Sequence, residues 1–460
     1  MSRCFAAANK QTKFSSHCLH RCWRYTSGSS PASTRTIFSI AAGFTPGYKM
    51  QTSISPKLLS NPVIAEADSI LRACVHCGFC TATCPTYQLL GSELDSPRGR
   101  IYLIKEMLET EQASAKTRLH LDRCLTCRSC ETTCPSGVRY GRLIDIGREM
   151  VEQLAPRSLY QKLLRKAMLA VIPYTARMSV ALALARMFRP LLPAELKKKI
   201  PAKQTATVTP VTSHARRMLV LEGCVQPLGT PNTNAAAARV LDRLGISLVS
   251  AQDTGCCGAL NQHLSDSDGA RTMMRRNIDA WWPHVESGAE AIVMTASGCG
   301  VMVKDYGHAL KDDAAYAGKA ARISALTRDL SEIISGEIIS GEILGSAKLE
   351  TFSRIGQGRR VAYHSSCTLQ HGQKLGGAVE AILRRCGYEL TPVADSHLCC
   401  GAAGSYTLLQ AKLSGQLLDN KLAALQEGKP ELIASANVGC QMHLASASDV
   451  PVKHWIELLE

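Results

Sequence analysis

The sequence predicts an α+β multidomain chain, and three observations in its 460 residues carry that expectation. Two cysteine strings share one spacing, Cys74-x2-Cys77-x2-Cys80-x3-Cys84-Pro85 and Cys124-x2-Cys127-x2-Cys130-x3-Cys134-Pro135. Between them Ile101, Ile104, Met107 and Leu108 keep a helical period, so the module that carries the strings reads as α-helical. Downstream, cysteine-bearing segments recur at offsets of 143 (224 to 367), 143 (256 to 399) and 141 residues (299 to 440), the mark of a duplicated α/β domain. The expected organisation is an extension over 1–49, the two-string module over 50–150, a basic helical linker over 151–215, and repeats over 216–345 and 357–460.

Composition bounds the class. Hydrophobic residues make up 45% and charged residues 20%, ordinary for a soluble globular chain. Of the 20 cysteines, eight lie in the two strings, which favours a reducing cytosol over a disulfide-rich secreted protein. No run of 18 uncharged apolar residues is present, so no single transmembrane helix is predicted. The net charge of +15 is uneven: residues 1–49 hold Arg3, Lys10, Lys13, Arg21, Arg24, Arg35 and Lys49 and no acid. That stretch reads as transit-like or as a mis-assigned start, with Met50 the preferred first residue, and it is left out of the fold. No nucleic-acid motif accompanies the charge, so no nucleic-acid partner is expected.

The strings carry the first chemistry. Cysteines spaced CxxCxxCxxxCP are the bacterial ferredoxin run for cubane [4Fe–4S] clusters. Proline after the fourth cysteine removes an N–H donor and fixes φ, so the chain leaves the cluster in a set direction. In two-cluster ferredoxins the fourth cysteine of each run binds the other cluster. By that rule Cys74, Cys77, Cys80 and Cys134 form cluster 1, and Cys124, Cys127, Cys130 and Cys84 form cluster 2. Zinc sites use paired CxxC units and need no third cysteine at this spacing, and three such close cysteines cannot all pair as disulfides. The helical insertion beginning at Ser96-Pro97-Arg98-Gly99-Arg100 points to the α-helical ferredoxin type of respiratory iron–sulfur subunits.

From Arg157 to Lys203 the chain holds eleven basic residues and one acid, Glu195, among apolar runs. Such a helix can lie on an anionic membrane surface or serve as a packed linker; arginines at 177, 186 and 189 exclude a spanning helix. Each repeat then reads strand, cysteine, helix, strand, Cys-Cys-Gly, helix, strand, Gly-Cys, the alternation of a parallel α/β layer. Functional groups in such sheets collect at the carboxyl ends of strands. Cys224, Cys256, Cys257 and Cys299 should therefore converge, and so should Cys367, Cys399, Cys400 and Cys440. The tandem stretch from Ser335 to Leu344 reads as a helix end plus linker.

Four thiolates per repeat could hold an additional iron–sulfur cluster, coordinate zinc or form a redox disulfide. The pattern resembles the CCG domain of heterodisulfide reductase catalytic subunits, which there holds unusual clusters. That family pattern ends in CxxC, and here Met302 and His443 stand at the last position. Cys386 reads as a buried apolar residue, and His364, His371, His397 and His443 lie near repeat cysteines.

From Met50 onward the chain resembles the iron–sulfur subunits of bacterial glycolate oxidase. The likeness lies in Leu71-Arg72-Ala73-Cys74 through Cys84-Pro85-Thr86-Tyr87, in Leu121-Asp122-Arg123-Cys124, in Asn277-Ile278-Asp279-Ala280-Trp281-Trp282, in Asp395-Ser396-His397-Leu398-Cys399-Cys400-Gly401 and in His454-Trp455-Ile456-Glu457. Relatives can carry a cysteine where Ser365 stands, so any ligand role there is lost. The resemblance implies FAD-containing partner subunits that oxidise glycolate to glyoxylate, with this subunit passing electrons to a membrane quinone or other acceptor. It also implies a cytoplasmic protein peripheral on the inner membrane. With no GxGxxG and no flavin site in the sequence, hydride chemistry belongs to another chain. The alternatives are the equivalent subunit of a glycerol-3-phosphate or lactate dehydrogenase complex, and a heterodisulfide-reductase-like thiol enzyme.

Overall fold

Proline and capping residues start the helices of the amino-terminal module. A computed structural model of the protein describes residues 49–191, 197, 200–201, 203–205, 207–210, 212–343, 352 and 355–460. Of the extension expected over 1–49, all but Lys49 lies outside the described residues. The elements below belong to one unit, Gln51–Glu460. Helix α1 (Pro62–Arg72) begins at a proline behind the Asn61 cap and buries Ile64, Ala67, Ile70 and Leu71. Helix α2 (Pro97–Thr110) begins at a proline behind Ser96, whose Oγ accepts the Gly99 N–H at 3.0 Å. It buries Ile101, Ile104, Met107 and Leu108, the stripe that the sequence spacing requires. Helix α3 (Ala115–Asp122) carries a Ser114/Thr117 capping box. Helix α4 (Tyr140–Leu154) crosses α2 where Gly147 faces Ile104; a Cβ at Gly147 would lie 2.7 Å from Ile104 Cδ1.

Helices α5 (Leu159–Val171) and α6 (Thr175–Met187) form the basic segment and meet at 112°. No single helix among the described residues is long and apolar enough to cross a membrane; this bent pair passes that test only jointly, on length and composition.

Two four-stranded parallel sheets follow. In the first, β1 (Arg216–Val220), α7 (Asn232–Arg243), β2 (Ile246–Ser250), α8 (Ser267–Glu286), β3 (Ile292–Met294), α9 (Ser297–Lys304) and β4 (Thr327–Asp329) give the strand order β2-β1-β3-β4. Helix α10 (Leu330–Ile343) leaves it. In the second, β5 (Arg360–His364), α11 (Ala378–Arg385), β6 (Glu389–Leu390), α12 (Ala411–Gln426), β7 (Leu432–Ser435), α13 (Val438–Ala445) and β8 (Val452–His454) give β6-β5-β7-β8. The α+β multidomain layout therefore holds, with the duplicated sheets as expected. Strands β4 and β8 were not legible: each is three residues long and carries a charge (Arg328 and Asp329, Lys453), so neither makes an apolar run.

The tandem stretch differs from its reading. Helix α10 continues through Ser335-Gly336 to Ile343, and Leu344 lies outside the described residues. Leu330 and Ile334 are buried and Ile338 packs against the same cluster, an i, i+4, i+8 stripe. Each buried isoleucine or leucine is worth about 2 kcal/mol, against about 1 kcal/mol lost at Gly336. The two sheets share that core, in which Met218, Val240 and Val293 join Val361, Ala434 and Trp455.

Candidate electron-transfer centres

The two cysteine strings follow one backbone path. His76 (φ 52°) and Gly78 (φ 83°) of the first match Thr126 (φ 52°) and Arg128 (φ 59°) of the second, all left-handed. Each bend leads into one short turn of helix, Phe79–Ala82 or Ser129–Thr133, which carries the third cysteine. Gly78 also lies against the tip of Arg98: a Cβ there would be 2.9 Å from Arg98 Nη1, a contact to which the long side chain can yield. At Arg128 the strain, about 1–2 kcal/mol for a side chain in this region, is held by its ion pair to Asp305 at 3.0 Å.

Around one cavity the structure gathers Cys74, Cys77 and Cys80 with Cys134; around a second it gathers Cys124, Cys127 and Cys130 with Cys84. Cys130, Pro97 and Tyr140 line both, so the cavities are neighbours. Cys77 is exposed, whereas Cys74, Cys84, Cys124 and Cys130 are buried. Burial pushes the thiols of Cys74, Cys127 and Cys130 up, and that of Cys80 up to about 12. A metal-free site therefore keeps its protons, and metal binding must displace them.

Against that burial stand a few donors and one buried cation close to the sulfurs. Thr126 N–H donates to Cys124 Sγ (3.4 Å) and the Tyr140 hydroxyl reaches the same sulfur (3.7 Å). Arg100, 1% exposed beside the second cavity, donates to His120 O (2.7 Å) and to Thr86 Oγ1 (3.1 Å). It pairs with buried Asp95 (3.5 Å), which also meets His120 Nδ1 (2.9 Å) and Arg123 Nη1 (3.0 Å). The donor set, its spacing and the fixed positive charge fit an iron–sulfur cluster in each cavity. Sequence reading missed Arg98, Arg100, Thr86 and Tyr140. The signal available was the Ser96-Pro97-Arg98-Gly99-Arg100 block, which reads locally as a helix start.

The repeat cysteines also converge. In each sheet the chain turns from one side to the other between its two central strands, and Cys224 with Cys299, or Cys367 with Cys440, follows those strands. In repeat 1 the neighbouring thiols of Cys224 and Cys257 hold that of Cys256 below the ordinary range, and Cys257 interacts in turn with Cys299. In repeat 2 Cys367 Sγ lies 3.9 Å from Cys399 Sγ, the Gly401 N–H donates to Cys399 Sγ (3.4 Å), and Asn437 Nδ2 donates to Cys440 Sγ (3.4 Å). Ser365 is buried, Met302 packs in the apolar core and His443 Nε2 lies 3.2 Å from Ser414 Oγ. Cys386 sits in the shared core. His364 is neutral: burial pushes its imidazole down to about 3. His371 bridges Thr132 Oγ1 (2.8 Å) and His397 O (3.0 Å), a docking role.

The second cavity abuts repeat 2. Leu125 shares an apolar cluster with Cys399, Tyr406, Leu413 and Leu417, and both Cys127 and Cys367 pack against it. The Tyr406 hydroxyl donates to Arg123 O at 3.1 Å.

Comparison with known proteins agrees with this geometry. A 4Fe-4S dicluster domain model matches residues 70–138, and a cysteine-rich domain model matches 218–304 and 361–445. The chain is 54% identical over 412 residues to the glycolate oxidase iron-sulfur subunit of Escherichia coli, covering 89% of this chain and 98% of that one. It is 29% identical over 406 residues to the probable glycolate oxidase iron-sulfur subunit of Bacillus subtilis, covering 81% and 88%. Lactate utilization protein A of Bacillus licheniformis is 28% identical over 245 residues, 51% of this chain and 95% of that protein.

Proposed function

This chain belongs to the family of glycolate oxidase iron–sulfur subunits, and on that premise we propose that it carries electrons from FAD-bearing partner subunits, which convert glycolate to glyoxylate, toward a membrane quinone. The observation that supports this most directly is the pair of adjoining four-cysteine cavities. Cys74, Cys77, Cys80 and Cys134 would hold one cluster, and Cys124, Cys127, Cys130 and Cys84 the other. Bound there, a [4Fe–4S] cluster supplies one-electron transfer. The chain's own groups set its conditions: Arg100 places positive charge beside the thiolates, and the Thr126 N–H and Tyr140 hydroxyl stabilise Cys124. Exposed Cys77, beside exposed Phe79, supports entry of electrons at the first cavity. The repeat cysteines, Cys224, Cys256, Cys257 and Cys299 with Cys367, Cys399, Cys400 and Cys440, are read as further metal ligands.

Coverage favours glycolate over lactate, since the likeness to lactate utilization protein A spans only half of this chain. The exposed basic pair α5–α6 supports a peripheral position on an anionic membrane face, argued in the Discussion. The decisive experiment is anaerobic purification with the flavin partners, addition of glycolate, and EPR. Cys77→Ser or Cys127→Ser should leave flavin reduction intact and abolish acceptor reduction. Full-rate acceptor reduction by either variant would exclude the relay, and reduction by lactate or glycerol 3-phosphate in place of glycolate would reassign the complex.

A further inference from the structure

Repeat 2 holds a buried group that repeat 1 lacks. His364 ends β5 and stands in register with Ser435 of β7. It is 2% exposed, its Nδ1 lies 3.1 Å from Ser435 Oγ, and its Nε2 has no hydrogen-bond partner. One imidazole nitrogen and the thiols of Cys400 and Cys440 lie within 4.8 Å of one another, and all three residues are buried. Among the described residues no other three histidine, cysteine or acidic groups come so close. The 143-residue offset places Leu221 at this position in repeat 1, where it packs with Cys257 and Met302 in an apolar cluster. The same slot is thus filled by hydrocarbon in one copy and by an unsatisfied nitrogen donor in the other.

We propose that His364 is a metal ligand which, with Cys400 and Cys440, makes a buried thiolate–imidazole site in repeat 2 for zinc or iron. Three features support it. A buried polar atom without a partner is unfavourable and rare, and a metal satisfies it. Thiolate and imidazole together suit zinc and iron, and metal–ligand bonds of about 2.0–2.3 Å can be reached from this spacing by small side-chain rotations. The Ser435 contact on Nδ1 is the outer-shell bond that orients a histidine ligating through Nε2. The absent closing CxxC is thereby answered in repeat 2 from another strand, and repeat 1 is left with thiols alone. The two copies then differ in ligand chemistry, and the mixed site is the one whose neighbours Cys399 and Cys367 abut the second cluster cavity.

This proposal rests on the reading of Cys400 and Cys440 as metal ligands, and the test separates the two. Wild-type complex and the variants His364→Leu, His364→Cys and Cys400→Ser are purified anaerobically, and iron and zinc are counted per chain. His364→Leu, which copies repeat 1, should lose about one metal equivalent if the metal is a single ion, and more if it belongs to a cluster. His364→Cys should keep it, and both should retain the EPR signals of the two amino-terminal clusters. Whichever element falls identifies the metal. A full complement in His364→Leu with loss in Cys400→Ser overturns the histidine ligand alone; a full complement in both overturns the cysteine reading as well. Should the leucine variant fail to fold, nitrogen hyperfine coupling or X-ray absorption on the wild type decides, and an all-sulfur coordination sphere overturns the proposal.

Discussion

Gly401 and Gly258 occupy the same step of the two repeats, directly after the paired cysteines, with φ of 88° and 89°. Their surroundings differ. A Cβ at Gly401 would lie 2.8 Å from Ser414 O and 2.9 Å from Leu417 Cβ, while at Gly258 the nearest atom, Ala270 O, is 3.1 Å away. Left-handed strain is common to both, at about 1–2 kcal/mol for alanine. Only Gly401 adds an overlap with backbone and a rigid core side chain, and overpacking of that kind costs about 1–3 kcal/mol more. Gly401→Ala should therefore lower the urea midpoint of the protein markedly more than Gly258→Ala. Equal shifts would show that helix α12 yields freely at Ser414, contrary to its buried packing.

At the scale of elements, the tether between the cluster module and helix α5 rests on two carboxylates, Asp122 and Glu152, which share Arg157 and Arg165. Asp122, the last residue of α3, takes Arg157 in a bidentate pair at 2.5 and 2.8 Å and Arg165 of α5 at 3.2 Å. Burial alone would raise the Asp122 pKa, but the hydrogen bonds and charge of Arg157, then Arg165, bring it below its ordinary 3.8. A depressed folded value means stability that is present above pH 3.8 and lost only as pH falls further, through the folded value. Asp122→Asn should cost about 1.5–3 kcal/mol by removing charge-assisted bonds to two arginines that Glu152 still pairs. That loss should stay constant from pH 7.5 to 5, measured by urea unfolding under anaerobic conditions. A cost that fades within that range would mean an unshifted or raised carboxyl.

The same scale shows what could be read from the chain beforehand. Cysteine strings are local, so the two-cluster ferredoxin rule applied to their spacing already assigns Cys134 and Cys84 to opposite cavities, and a duplication announces itself by its offset. The helical stripe of α2 is local too. Arg100, Tyr140 and Thr86 are not: they reach the cavities from separate elements, and their local sequence reads only as helix starts. His364 was one of four histidines near repeat cysteines until the pairing of β5 with β7 set it against Ser435 and left Nε2 unsatisfied. Register and burial, which no residue spacing encodes, distinguish it from His371, whose nitrogens are both engaged at the module contact.

Across the whole molecule the candidate centres adjoin one another in sequence. The first cavity adjoins the second through Cys130, and the second adjoins repeat 2 through Leu125 and Cys127. Helix α6 reaches repeat 1, where Thr175 Oγ1 donates to Cys224 O at 3.4 Å. The α5–α6 pair projects Leu159 (85% exposed), Tyr160 and Leu163 beside exposed Lys162 and Lys166, with Phe188, Arg189 and Leu191 at its far end. Exposed apolar side chains interleaved with lysine suit the interface of an anionic bilayer. Arg177 is a poor probe of this, since it donates to Ala170 O and stacks on Tyr174, and Arg186 donates to Pro201 O. The lysines are cleaner. Each basic residue near such a surface contributes about 1 kcal/mol, so Lys162→Glu with Lys166→Glu should weaken binding to phosphatidylserine vesicles by roughly tenfold or more. Leu159→Ser with Leu163→Ser should weaken it in high salt as well, where charge is screened. Both doubles should leave glycolate-driven cluster reduction unchanged. Co-sedimentation equal to wild type in both would place the membrane contact elsewhere, and with it the outlet for electrons.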